Sequence, residues 1–101
     1  MISSNSSSER LGVATVGLGG AVSTTTVAGI ELLRSGNAES HGLPLAPIDK
    51  TLTEDLASYE SLVFGGWDFY DVNLAEAAEN HDVLDPDQLE AVRSNLESLS
   101  P

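Results

Sequence analysis

Residues 11–34 read LGVATVGLGGAVSTTTVAGIELLR. Leu11–Val16 is a short apolar run with β-branched residues, closed by Gly17, and it has the composition of a strand buried on both faces of a parallel sheet. Ala21–Arg34 reads as a helix, with Arg34 in its last turn, where a cation suits the negative end of the helix dipole, and Gly36 as a stop signal just beyond. Val22, Val27, Ile30 and Leu33, with the small Ala28 and Gly29, mark the face expected to pack on the sheet. Gly29 costs about 1 kcal/mol of helix propensity relative to Ala, a cost that close packing would justify.

The remaining elements are spaced outward from this unit. Residues 35–50 hold Gly36, Asn37, Gly42, Pro44 and Pro47 and read as a loop or edge segment. Thr51 and Glu54 have capping-box spacing, which predicts a short helix over 52–58. Ser61–Phe64, closed by Gly65 and Gly66, is a second strand. A short helix rich in Ala and Glu follows over 74–80. Asp85-Pro86-Asp87-Gln88 is a helix start, with an N-cap Asp, Pro in the first turn and Gln three residues on. Leu89, Val92, Leu96 and Leu99 then recur at three- and four-residue steps and give that helix one apolar face. Strands alternating with helices predict an α/β fold with a parallel sheet. Two strands cannot complete a doubly wound sheet, so the domain is expected to be incomplete, with residues 1–9 a disordered leader and residues 10–101 the first part of one truncated domain.

Gly17-Leu18-Gly19-Gly20 falls between the first strand and the first helix, where dinucleotide folds place their phosphate-binding turn. Gly17 would permit the tight turn, and Gly19 would let backbone approach a diphosphate with no Cβ in the way. The first amides of the helix, at the positive end of its dipole, would face the anion. Arg10 to Ile30 contains no carboxylate, where the chain average of 16 in 101 would place about 3.3. Acids ordinarily stabilise a helix start, so their absence is consistent with room kept for another anion. Val22 stands where G-x-G-x-x-G would have its third glycine, and no lysine follows the glycines, which argues against a P-loop.

Composition narrows the function classes. The 101 residues carry 16 acids against 4 basic residues, a net charge of −12. Nucleic acids and anionic membranes are bound by cations that neutralise phosphates, so neither is an expected partner. Excess acid with a single lysine, Lys50, is also a balance suited to concentrated salt. With no cysteine, disulfides and thiolate chemistry are excluded, and a reducing cytoplasm is the expected compartment. Residues 11–30 are uncharged over the length of a membrane span, but five glycines, a serine and four threonines make them too polar for one. His41 and His81 have no ligand-spaced partners and are read as surface residues, and no metal site is expected.

Three strings together, residues 11–34, GLPLAP at 42–47 and LVFGGWDF at 62–69, resemble the prokaryotic inositol-3-phosphate synthases (myo-inositol-1-phosphate synthases), and the likeness continues through DPDQLEAVRSNLESL. The family's G-x-G-G turn and hydroxyl-rich helix start correspond to Gly17, Gly19, Gly20, Ser23 and Thr24. Its strand ending in Gly-Trp-Asp corresponds to Gly66, Trp67 and Asp68. The resemblance implies a partial Rossmann-like NAD-binding domain, the N-terminal fragment of a cytoplasmic isomerase of inositol and phospholipid biosynthesis. Such an enzyme converts glucose 6-phosphate to 1D-myo-inositol 3-phosphate by transient oxidation, aldol ring closure and reduction, with NAD retained throughout. A homo-oligomer is implied for the complete enzyme. The family's catalytic lysines belong to a later part of the chain, so no catalytic residue is assigned here and Lys50 is not one.

The general spacing rule for the ribose-binding acid selects Glu39, which lies in a Gly/Asn/Ser loop. Asp68 follows a strand and matches the family motif, so the cofactor-binding set is Gly17, Gly19, Gly20, Ser23, Thr24 and Asp68. Trp67 is expected to pack against the sheet. The alternative is a small acidic α/β interaction module whose glycine turn is purely structural.

Overall fold

A computed structural model describes residues 10–38 and 57–101. Strand β1 (Leu11–Val16) runs into the glycine turn and then helix α1 (Ala21–Arg34). A single 3₁₀ turn (Tyr59–Ser61) leads into β2 (Leu62–Trp67), followed by α2 (Leu74–His81) and α3 (Pro86–Glu97). The order is the one expected from the sequence. The expectations for residues 1–9, and for the loop and capping box up to residue 56, lie outside the described residues. The helix predicted over 52–58 does not include residues 57 and 58, which are not helical.

Among the described residues β1 and β2 form a two-stranded parallel sheet, with Leu11 opposite Leu62 and Val16 opposite Trp67. The second strand is longer than the sequence suggested, because Gly65 and Gly66 are strand residues rather than its terminator. At Gly66 a side chain would collide with the backbone of Thr15. Glycine is therefore what lets the strands approach at this register.

Helix α1 packs on α2 and α3. The core joins Leu18 of the turn to Val27, Ala28 and Leu32 of α1, Leu74 and Ala78 of α2, and Leu89, Val92 and Leu96 of α3. Phe64 and Leu99 pack against it. The apolar stripe of α3 is the one read from its spacing for Leu89, Val92 and Leu96, whereas Leu99 lies beyond the helix, which ends at Glu97. That of α1 is rotated: Thr24, Val27, Ala28 and Leu32 are buried, whereas Val22 is 83 % exposed. Val27 and Ala28 are buried as expected, but Thr24 and Leu32 complete the face turned to α2 and α3 in place of Val22, Ile30 and Leu33. Gly29 meets no atom of the described residues within 4 Å of where its Cβ would be, so it is not a close-packing glycine there.

Side chains alternate across a strand and paired residues share a face. Val13, Thr15 and Phe64 therefore face α1. Ala14, Val16, Val63 and Trp67 form the opposite face, which is exposed. Trp67, expected to pack on the sheet, is 62 % exposed beside Val16. No helix among the described residues covers that face, so among them the ring lies open beside its own strand pair.

The ends of the elements follow local chemistry. Gly36 takes φ +78° beyond α1, as the stop signal required. The Asn73 side chain accepts from the Glu76 amide at 2.9 Å and caps α2, and the Asp85 amide donates to Gln88 Oε1 at 3.1 Å at the head of α3. The Leu74 amide donates to the Leu99 carbonyl at 2.9 Å, which ties the start of α2 to the end of the chain.

Candidate functional site

Where β1 ends, the chain must reverse and enter α1 within four residues. Gly17 achieves this with φ +85°, in the left-handed region that disfavours residues bearing a Cβ. Its amide and that of Leu18 both donate to the Trp67 carbonyl, at 2.7 and 3.0 Å, so the turn is pinned to the end of β2. Leu18 is fully buried and anchors the turn in the core. The Gly20 amide donates to the Gly17 carbonyl at 2.9 Å, and Gly20 serves as the N-cap of α1.

Asp68, the first residue after β2, reaches across to this turn. Its Oδ2 accepts from the Gly19 amide at 2.8 Å, and its Oδ1 accepts from the Tyr70 amide at 3.3 Å. The Gly19 amide, and then that of Tyr70, hold the Asp68 carboxyl below the usual carboxylate range, since bonds donated to the charged form favour it. An ionised carboxylate has about four acceptor positions, so two protein amides leave capacity for further donors. A Cβ at Gly19 would lie 3.2 Å from Asp68 Oδ2 and 3.6 Å from the Ala77 Cβ. Glycine here keeps the turn in contact with Asp68.

The amides of Ala21, Val22 and Ser23 meet no acceptor among the described residues, and the first hydrogen bond of the helix is Thr24 to the Gly20 carbonyl at 2.9 Å. No acidic residue stands in the first turn. These three N–H groups, without a partner among the described residues, stand at the positive end of a fourteen-residue helix, the end at which a helix favours negative charge. Ser23 is half-buried beside them. Thr24 is 1 % exposed, and its hydroxyl donates to the Gly20 carbonyl at 2.8 Å, so it braces the turn from beneath. A cleft of about 430 Å³ opens beside the turn, lined by Thr15, Val16, Gly17, Gly20, Ala21 and Ser23 among others.

The structure thus gathers Gly17, Gly19, Gly20, Ser23, Thr24 and Asp68 at one end of the sheet. Glu39 lies outside the described residues. His81 is exposed, as read from the sequence, yet its Nε2 lies 2.7 Å from the Gly19 carbonyl oxygen. That contact spans 62 residues and has no sequence signal, because it depends on where α2 ends relative to the turn. Among the described residues no group of three or more His, Asp or Glu side chains is placed to hold a metal ion, and no helix is long and apolar enough to cross a membrane.

A parallel strand–turn–helix unit with free amides at the helix start and an acid after the neighbouring strand defines a dinucleotide-binding α/β protein of the Rossmann-like class. The family model of myo-inositol-1-phosphate synthase, specifically its NAD-binding domain, matches residues 44–101. The chain belongs to the inositol-3-phosphate synthase family, whose cofactor at this domain is NAD. It is 36 % identical to inositol-3-phosphate synthase 1 of Bacteroides thetaiotaomicron over 91 % of its own length and 24 % of that protein's. It is 33 % identical to an Arabidopsis thaliana isozyme, covering 91 % of itself and 23 % of the isozyme. The inositol-3-phosphate synthase structure from Caenorhabditis elegans superposes with a TM-score of 0.74 at 24 % identity, over 92 % of this chain and 23 % of that one, and shares the fold. The chain spans about a quarter of the length of these relatives.

Proposed function

We propose that this chain forms the adenine-dinucleotide half of the cofactor site of an inositol-3-phosphate synthase, and that the alternative of an interaction module with a purely structural turn is not the better reading. The observation that carries it is the trio of amides at Ala21–Ser23 that meet no acceptor among the described residues, at a helix start that bears no acid. The NAD diphosphate would lie against these amides, with Gly17, Gly19 and Gly20 leaving it room and the Ser23 hydroxyl within the same rim. Asp68 would accept from the hydroxyl pair of the adenosine ribose with the acceptor positions left by Gly19 and Tyr70. Thr24 would act from below, by holding the Gly20 carbonyl. NAD, when bound, supplies a reversible hydride acceptor for the sugar.

The complete enzyme would isomerise glucose 6-phosphate to an inositol phosphate as an intramolecular lyase, in the cytoplasm and as a homo-oligomer. In that reaction the present residues bind and orient the cofactor. The sugar chemistry would fall to the lysines of the part of the relatives that this chain does not span, and Lys50 takes no part in it.

The test is titration of NAD into the chain and into Gly19→Val, with circular dichroism as a folding control. Heat of binding in the parent and none in a folded Gly19→Val is expected, because a branched side chain at 19 would press on Asp68 and occupy the approach to the diphosphate. Equal affinity in the two proteins would make the turn structural only.

A further inference from the structure

We propose that His81 is a positioning residue for the dinucleotide turn, acting with Asp68 to fix both peptide planes that flank Gly19. The inference rests on the reading of the turn as a cofactor site. The Gly19 amide belongs to the peptide shared with Leu18, and Asp68 Oδ2 holds it at 2.8 Å. The Gly19 carbonyl belongs to the peptide shared with Gly20, and His81 Nε2 meets it at 2.7 Å. One side chain therefore sets φ of Gly19 and the other sets ψ. Glycine is the residue that loses most conformational freedom on ordering, and Gly19 has no side chain of its own to limit it.

The consequence falls on the residues after Gly19. Its carbonyl plane determines how Gly20 enters α1, and so where the free amides of Ala21, Val22 and Ser23 point. Binding strength at such a site depends on how much ordering is left to do when the ligand arrives. His81 can serve because α2 closes there: Asp82 takes the left-handed conformation at φ 55°, which ends the helix with the His81 ring beside the turn. Ala77, one turn earlier on α2, lies against Gly19 on the same side.

A carbonyl oxygen only accepts, so His81 must carry its proton on Nε2. That requirement gives a readout independent of NAD. Long-range ¹⁵N spectra of the chain should show His81 as the Nε2–H tautomer when neutral, and the Gly19 carbonyl ¹³C resonance should shift in His81→Leu and return towards the parent value in His81→Gln, whose amide can still donate. NAD titration should give roughly fivefold weaker binding for His81→Leu, the scale of one neutral hydrogen bond, and recovery in His81→Gln. A His81 neutral form protonated on Nδ1 in the parent would overturn the proposal even if no variant folded. Parent-like NAD affinity in His81→Leu would overturn it while leaving the cofactor reading intact. A parent chain that fails to bind NAD at millimolar concentration would instead remove the cofactor reading, and the role of His81 with it.

Discussion

At the scale of single residues, the site depends on what each glycine makes possible. Gly17 takes a left-handed turn at φ +85°, Gly19 leaves 3.2 Å between its missing Cβ and Asp68, and Gly66 admits the backbone of Thr15. The first role was legible from the G-x-G-G spacing, because that pattern has a known geometric purpose; for Gly19 the spacing gave only room for a diphosphate, not the contact with Asp68. The third was not, since a Gly-Gly pair after an apolar run reads equally well as a strand terminator. Asp68 was identified through its motif, but its bond to the Gly19 amide links residues 49 apart and could come only from the fold. This bond carries a pH dependence. The folded carboxyl is held below its unfolded value, so the brace is complete above the ordinary aspartate range and is lost as pH falls through the lower, folded value. A ¹³C titration should show Asp68 protonating below the ordinary aspartate range, with the Gly19 amide shift following the same midpoint. An Asp68 curve at the ordinary aspartate value, or a Gly19 amide that does not move, would contradict the assignment.

At the scale of elements, helix α3 was legible except for its last residues, and α1 only in part. Leu89, Val92 and Leu96 pack on both α1 and α2 and are all buried, while Leu99, expected as the fourth of the stripe, lies beyond the helix end at Glu97 and is half-buried. The buried positions of α1, Thr24, Val27, Ala28 and Leu32, recur at three- and four-residue steps and form one stripe; Val27 and Ala28 belong to the face expected from the sequence, whereas Thr24 and Leu32 do not. A buried threonine is hard to foresee; it is accommodated because its hydroxyl is satisfied by the Gly20 carbonyl at 2.8 Å. Gly29 is the element-scale test. With nothing within 4 Å of its Cβ position among the described residues, Gly29→Ala should gain helix propensity and restrict the unfolded chain. The expected stabilisation is about 0.5–1 kcal/mol, read as a higher midpoint in urea. A loss of stability would show that Gly29 packs closely after all. The ion pairs of Arg93 with Glu79 of α2 and Glu90 of α3 are exposed, and they add little to the packing that already joins the two helices.

At the scale of the whole molecule, the alternation of strand and helix was enough to give the α/β class, while the extent of the sheet depends on pairing that no local pattern encodes. The exposed face of Ala14, Val16, Val63 and Trp67 has the apolar composition of a parallel sheet covered on both sides. It belongs to a chain that spans about a quarter of its relatives' length. The contacts of the glycine turn, by contrast, are made within the described residues: its carbonyls are those of residues 17–20, Asp68 follows β2, the amides without an acceptor among the described residues open α1, and His81 ends α2. The central claim is that this turn binds the diphosphate of NAD through the start of α1. The most direct measurement is an NAD titration of the ¹⁵N-labelled chain followed by amide shifts. The account predicts that the amides of Gly19 to Ser23 move most and saturate together, with those of α3 unchanged. Saturable shifts confined to another surface, or no shifts at millimolar NAD, would contradict it.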